Sequence, residues 1–313
     1  MAVTAKMVKE LREMTGAGMM ECKKALTAVD GDMDKAVEFL REKGLAAAEK
    51  KASRIAAEGL VTTIVSEDGK KAAIVEVNSE TDFVAKNADF QAYVAKVAQQ
   101  VLASSSETIE QFLAETWIDD ASVTVEQALS QKIAIIGEKL SIRRFQRITE
   151  ENGVIASYIH AGGKIGVLVD METGASADAV AECGKNVAMQ IAAMRPKYTN
   201  RNEVSQEYID HEKDILLAQI KNDPKESQKP EKVIQGIVQG RIGKELKEIC
   251  LLDQVYVKAE DGKQSVGKYV EAEAKKIGSA VKVKSFVRFE TGEGMQKKEE
   301  DFAAEVAKQM GKN

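Results

Sequence analysis

The sequence predicts a helix-rich α+β protein built from several modules, and three observations carry that reading. Two stretches repeat one pattern of strand, glycine-containing turn, strand and helix. Proline is confined to Pro196, Pro224 and Pro230, which leaves long segments free to be helical. Aromatic residues make up 5% of the 313 residues against 44% hydrophobic, the balance of aliphatic, helix-rich cores.

Residues 1–44 are expected to form a three-helix module. Thr4 can cap a first helix with Met7, Val8, Leu11 and Met14 at helical spacing. Thr15-Gly-Ala-Gly18 interrupts the pattern, and Met19-Met20 opens a second helix with Ala25, Leu26 and Val29 on its apolar face. Asp30-Gly31 is a turn, Asp32 caps a third helix carrying Met33, Ala36, Val37 and Leu40, and Gly44 is its C′ residue. So small a module buries little core and suits docking better than catalysis. Residues 45–58, rich in Ala and Lys, are expected to be a helical linker.

The repeat then follows. Gly59-Leu-Val-Thr-Thr-Ile-Val65 and Gly153-Val-Ile-Ala-Ser-Tyr-Ile159 are the first strands. The turns are Glu67-Asp-Gly-Lys70 and Ala161-Gly-Gly-Lys164. Strands at 72–77 and 165–169 and helices over about 89–102 and 177–193 complete two duplicated ββα-type core subdomains, residues 59–150 and residues 151–198 with 251–295. Between them, 107–114 and 125–139 read as helices and Ser141-Ile-Arg-Arg-Phe145 as a strand start. Residues 199–250 are expected to be an inserted antiparallel helical hairpin, 204–222 and 231–250. Its second helix carries Ile234, Ile237, Val238, Ile242, Leu246 and Ile249 in a stripe. The hairpin can either project as a coiled coil or pack on the body. A helix at 265–276, a strand at 281–289 and a C-terminal helical module at 296–313, with its helix over 300–310, finish the chain.

Composition narrows the function. A net charge of −5 gives no broad surface for nucleic acid or anionic membrane. Cys22, Cys183 and Cys250 are far apart, odd in number and without a CxxC pair, so they read as buried thiols in a reducing compartment. The charged N-terminal residues Lys6, Lys9, Glu10, Arg12 and Glu13 and the lack of a membrane-length apolar run give a cytoplasmic reading. No catalytic constellation emerges. His160 ends a strand and His211 lies mid-helix in another module; a structural or interface role for His160 stands beside a catalytic base. Gly262-Lys-Gln-Ser-Val-Gly-Lys268 approaches a phosphate-binding loop, but Tyr269 stands where a metal-holding hydroxyl is needed. Ser265 there reads as a helix cap. No cofactor or metal site is expected.

The most informative segment is Thr81-Asp82-Phe83-Val84, between a strand and a helix. An aromatic beside a carboxylate on a rigidly mounted turn suits binding. The alternative is that Phe83 packs beneath the loop and Asp82 caps the helix.

Several blocks are similar to bacterial elongation factor Ts proteins: Val8-Lys-Glu-Leu-Arg12, Thr15-Gly-Ala-Gly-Met-Met20, Cys22-Lys-Lys-Ala-Leu26, Thr81-Asp-Phe-Val-Ala-Lys86, Ile165-Gly-Val-Leu-Val169, and Val287-Arg-Phe289 through Gly292-Glu-Gly294. Their order matches and they span essentially the whole chain. Ser79 stands where the family often has Cys, and 199–250 is elongated. The resemblance implies an exchange factor without covalent chemistry, which binds elongation factor Tu in its GDP-bound and nucleotide-free forms. It implies that Thr81, Asp82, Phe83 and Val84 displace Mg2+ from the partner's nucleotide site. It also implies that Arg12, Met19, Met20 and His160 touch the partner. A helical adaptor, whose N-terminal module resembles ubiquitin-associated (UBA-like) domains, and a nucleotide-dependent enzyme using the Gly262 loop are the competing readings. Whether the complex is one-to-one or two-to-two, and whether the chain forms a homodimer, stays open.

Overall fold

The structure, a computed structural model, describes residues 3–296; the helix expected over 300–310 lies outside them. Three helices come first: α1 (Ala5–Thr15), α2 (Met19–Ala28) and α3 (Met33–Lys51). The first half of the body is β1 (Glu58–Val65), β2 (Lys71–Ser79), α4 (Asp82–Ala85), α5 (Ala88–Ala103), α6 (Ile109–Ala114), β3 (Thr116–Trp117), β4 (Asp120–Thr124), α7 (Val125–Ile136) and β5 (Ser141–Thr149). The second half is β6 (Gly153–His160), β7 (Ile165–Thr173), α8 (Ala177–Met194), α9 (Gln206–Asn222), α10 (Glu231–Ile249), α11 (Val266–Ile277) and β8 (Val281–Glu290). The protein is thus α+β, with small antiparallel sheets.

The capping chemistry explains the N-terminal helices. The Thr4 hydroxyl accepts from Met7 N at 3.3 Å and the Asp32 carboxylate from Lys35 N at 3.1 Å. Leu11, Cys22, Ala25, Leu26 and Ala36 close a common core. Gly44 does not end α3, contrary to its reading as a C′ residue. It is buried on the helix face that meets α7, where a Cβ would lie 3.4 Å from the Ser130 carbonyl oxygen. Close approach of two backbones, not chain reversal, accounts for the glycine. The helical part of the 45–58 stretch stops at Lys51.

Each half of the body centres on a three-stranded antiparallel sheet, ordered β1-β2-β5 and β6-β7-β8. The expected ββα unit is therefore ββα plus a late third strand. The sheets stack face to face: Val61, Ala72 and Ile74 meet Ile155, Leu168, Val287 and Phe289. Helices α5, α6 and α7 cover the outer face of the first sheet, and α8 and α11 that of the second. The central strands are buried on both faces, which is why they read as continuous apolar runs.

The duplication extends to polar detail. Gly59 pairs with Asn78 and Gly153 with Glu172; the register slips after Glu76 in one sheet and after Asp170 in the other. A buried carboxylate thus sits at the same bulge in both central strands, each met by a cation from the third strand: Arg143 and Arg144 for Glu76, Lys284 for Asp170.

Asp170 titrates unusually. Burial, then a hydrogen bond with Glu150 and that group's charge, raises its carboxyl from 3.8 to about 6, while Lys284, 2.8 Å from Glu150, holds Glu150 well below the usual range. A raised carboxyl pKa means that the native state keeps a proton the unfolded chain has released. The stabilisation is full below the unfolded value and fades as pH climbs through about 6. The Glu150 contribution has the opposite sign and is complete above its ordinary value of 4.5. An Asp170→Asn variant should therefore gain stability relative to the parent as pH rises from about 5 to 7. Denaturation midpoints across that range check this, and parallel curves refute it.

Helices α9 and α10 pack on each other around Ile220, Val238 and Ile242. The short connection from Asn222 to Glu231 makes them antiparallel, and the hydroxyl of Tyr208 near the start of α9 donates to Glu245 near the end of α10 at 2.6 Å. Ile234, Ile237, Val238, Ile242 and Leu246 face α9, as the stripe predicts. Ile249 joins the base instead, where its carbonyl accepts from Lys197 N and Tyr198 N.

Candidate functional site

The segment after β2 cannot continue as a strand, because Thr81 turns the chain into the single-turn helix α4. The Thr81 hydroxyl caps it, accepting from Val84 N at 3.5 Å, and Ser79 Oγ donates to the Thr81 carbonyl at 2.9 Å. Asn87 then caps α5 through the amides of Asp89 and Phe90. Asp82 is therefore not the cap. Its carboxylate pairs with Lys86 at 2.6 Å, and that ammonium holds it below the usual carboxylate range, with Lys164 adding a weaker attraction.

Phe83 does not pack under the loop. It is 79% exposed, with the Lys86 ammonium 5.9 Å from the ring centroid. Val84 is half-buried and packs on the first core, so one side of the turn is anchored while the other presents the ring. The turn therefore holds an exposed aromatic on a capped, anchored support, a combination suited to binding.

Glu138 is a member of this site that the sequence reading missed. It follows α7, whose Gly137 cap is left-handed, and its Oε2 accepts from Glu80 N at 3.1 Å and Thr81 N at 3.0 Å. Its Oε1 accepts from the Thr81 hydroxyl at 2.7 Å. No local motif announces it; the pairing spans two loops far apart in sequence.

The other candidates occupy different places. Arg12, Met19 and Met20 are exposed on α1 and α2. Met14, also exposed, lines a groove of about 620 Å³ with Val37, Leu40, Lys50 and Ile135, between the three-helix unit and α7. Met side chains adapt to irregular partners. His160 is exposed at the end of β6, its Nδ1 3.0 Å from the Tyr158 hydroxyl. The β6–β7 turn that follows it lies beside the start of β1, since Lys164 contacts Glu58 and Gly163 packs on Leu60. That turn and Phe83 therefore share one end of the body, whereas Arg12, Met19 and Met20 belong to the helical unit.

The Gly262 loop is not arranged to cradle phosphate. Its Lys263 and Gln264 amides are taken by the Asp261 carboxylate at 2.8 and 2.9 Å, and Ser265 caps α11 as expected. Among the described residues no cluster of His, Cys, Asp and Glu suits a metal ion, and no helix is long and apolar enough to cross a membrane.

A family model described as Elongation factor TS matches residues 80–293. Elongation factor Ts of Clostridium perfringens (strain 13) is 53% identical over 310 residues, covering 99% of this chain and 100% of the relative. Elongation factor Ts of Clostridium novyi is 52% identical and that of Clostridioides difficile (strain 630) 54%, each covering 98% of this chain and 99% of the relative. With the model spanning most of the body and the relatives matching from end to end, this chain belongs to the elongation factor Ts family.

Proposed function

We propose that this translation factor binds elongation factor Tu carrying GDP and speeds GDP release by disturbing the Mg2+ of the partner's nucleotide site, so that GTP can enter. The carrying observation is Phe83, an aromatic ring left 79% exposed on a turn that is otherwise capped and anchored. Magnesium demands near-ideal octahedral geometry and is held by few protein groups. A ring wedged among the partner's side chains can displace those groups, uncover the diphosphate charge and weaken its hold. Asp82 shapes the turn through Lys86 and adds negative charge near the metal region.

The remaining assignments complete the reading. The three-helix module, UBA-like in arrangement, docks on the partner's nucleotide-binding domain through Arg12, Met19 and Met20. The second subdomain reaches another domain of the partner near His160. The α9–α10 hairpin is a short coiled coil. The chain acts in the cytoplasm and makes or breaks no covalent bond. Linkage requires that GDP weaken binding of this chain to its partner by the factor by which this chain weakens GDP.

The test is release of fluorescent GDP from preloaded elongation factor Tu into excess GDP. The parent chain should accelerate release strongly. Phe83→Ala should lower the maximal rate about tenfold or more, equivalent to at least ~1.4 kcal/mol of transition-state stabilisation. Its melting temperature should not move, because the ring contributes almost nothing to the core. A parental rate for Phe83→Ala removes the wedge; binding without acceleration by the parent chain makes it an adaptor instead.

A further inference from the structure

We propose that Glu138 is a positioning residue for exchange, aiming the Phe83 ring by locking the backbone of the turn that carries it; this rests on the wedge reading of Phe83.

The argument starts from Phe83 itself. A ring with so little buried contact has nothing of its own to set its direction, so the backbone at 80–83 must do it. Backbone amides seek acceptors, and at this turn Glu138 supplies them. One of its oxygens takes both the Glu80 and Thr81 amides and the other takes the Thr81 hydroxyl proton. A hydroxyl has one proton. Once it is committed to Glu138, a lone pair is left to accept from Val84 N, which is the cap of α4. The carboxylate therefore selects the hydroxyl orientation that starts the single helical turn bearing Phe83.

The clasp is reciprocal and extends further. The Glu80 carboxylate accepts from Lys139 N at 2.6 Å and from Arg54 Nη1 at 3.2 Å. The Lys139 ammonium in turn donates to the carbonyls of Ala52 and Arg54, at 2.6 and 2.8 Å, just past the end of α3. The loop between α7 and β5 thus grips both the turn and the strap leading from the three-helix unit. Bonds to a charged acceptor are among the stronger ones, and several converge here on half-buried groups. Preorganising a contact on rigid support lowers the ordering that binding must supply.

Glu138→Gln keeps the side-chain length but leaves one acceptor oxygen where two served three donors. In the GDP-release assay the maximal rate should fall about five- to tenfold while the partner concentration giving half-maximal rate stays within about twofold. Binding stoichiometry and melting temperature report that the variant is folded. Thr81→Val breaks the same clasp from the other side and should show the same split. The decisive readout is a cycle with Phe83→Ala. If Glu138 acts through the ring, Glu138→Gln in the Phe83→Ala background should cost less than about twofold more. Full multiplication of the two losses, a parental rate for Glu138→Gln, or a change in half-saturation alone overturns the inference. Parental exchange by Glu138→Gln beside a slowed Phe83→Ala removes this inference only; parental exchange by Phe83→Ala removes the wedge reading and this one with it.

Discussion

Replacing Glu76 with alanine is expected to destabilise the fold by about 3 kcal/mol, the low end of the range for breaking a buried ion pair. The carboxylate is fully buried in the central strand of the first sheet. It accepts from Arg143 Nη1 at 2.9 Å, Arg144 Nε at 2.6 Å, Asn78 Nδ2 at 3.1 Å and Gly292 N at 2.8 Å. Removing it leaves the Asn78 amide and the Gly292 N–H without that acceptor and opens a hole at the bulge. The two guanidinium groups are partly exposed and can turn to water, which keeps the cost from reaching the upper end. Because Gly292 and Arg144 link the end of β8 to β2, the two halves of the body should loosen together. Urea denaturation at fixed pH measures the effect, and a loss below about 1 kcal/mol contradicts this account.

Gly59→Ala is the second large effect, about 2–4 kcal/mol of destabilisation. Two causes act at once. Gly59 has φ +126°, which L-residues rarely adopt, and a Cβ there would lie 2.2 Å from the Val77 carbonyl oxygen and 2.7 Å from Asn78 Cα. Both obstacles are backbone of the adjacent strand, so no rotamer change relieves them. Strand β1 must shift away from β2, and the stacking of Val61 on the second sheet shifts with it. The matching glycine of the second sheet, Gly153, faces the same obstacle, 1.9 Å from the Met171 carbonyl oxygen. Denaturant midpoints of the variant and the parent decide the matter; equal midpoints overturn it.

Much of this fold is legible in the residues, and the exceptions have physical reasons. Helix starts are local events, so Thr4, Asp32 and Ser265 announce theirs through one side chain and one amide. Strands buried on both faces show as unbroken apolar runs. What is not legible is long-range pairing. Ser141-Ile-Arg-Arg-Phe145 looks like a strand, yet nothing in it says that β5 will pair with β2. The β3–β4 hairpin is too short for any periodicity to register. Gly44 misleads because a glycine for close helix packing and a glycine for a helix end look alike in a string. At the candidate site, the Thr-Asp-Phe-Val turn stands out by composition, but the direction of Phe83 does not, because an aromatic beside an apolar run is more often inward. Glu138 is silent in the sequence because its meaning lies in a neighbour brought to it by folding.

The late third strands have a consequence for biosynthesis. The first sheet is complete once Thr149 has left the ribosome. The second has its first two strands by Thr173 but lacks β8, which starts only at Val281. Throughout the translation of α8, the hairpin and α11, one flank of β7 remains an open edge able to pair with whatever strand is nearby. The nascent chain thus spends the later part of its own synthesis as a finished front half joined to an unfinished back half. Early dissociation of the ribosome anywhere before Glu290 releases a polypeptide with that edge still bare.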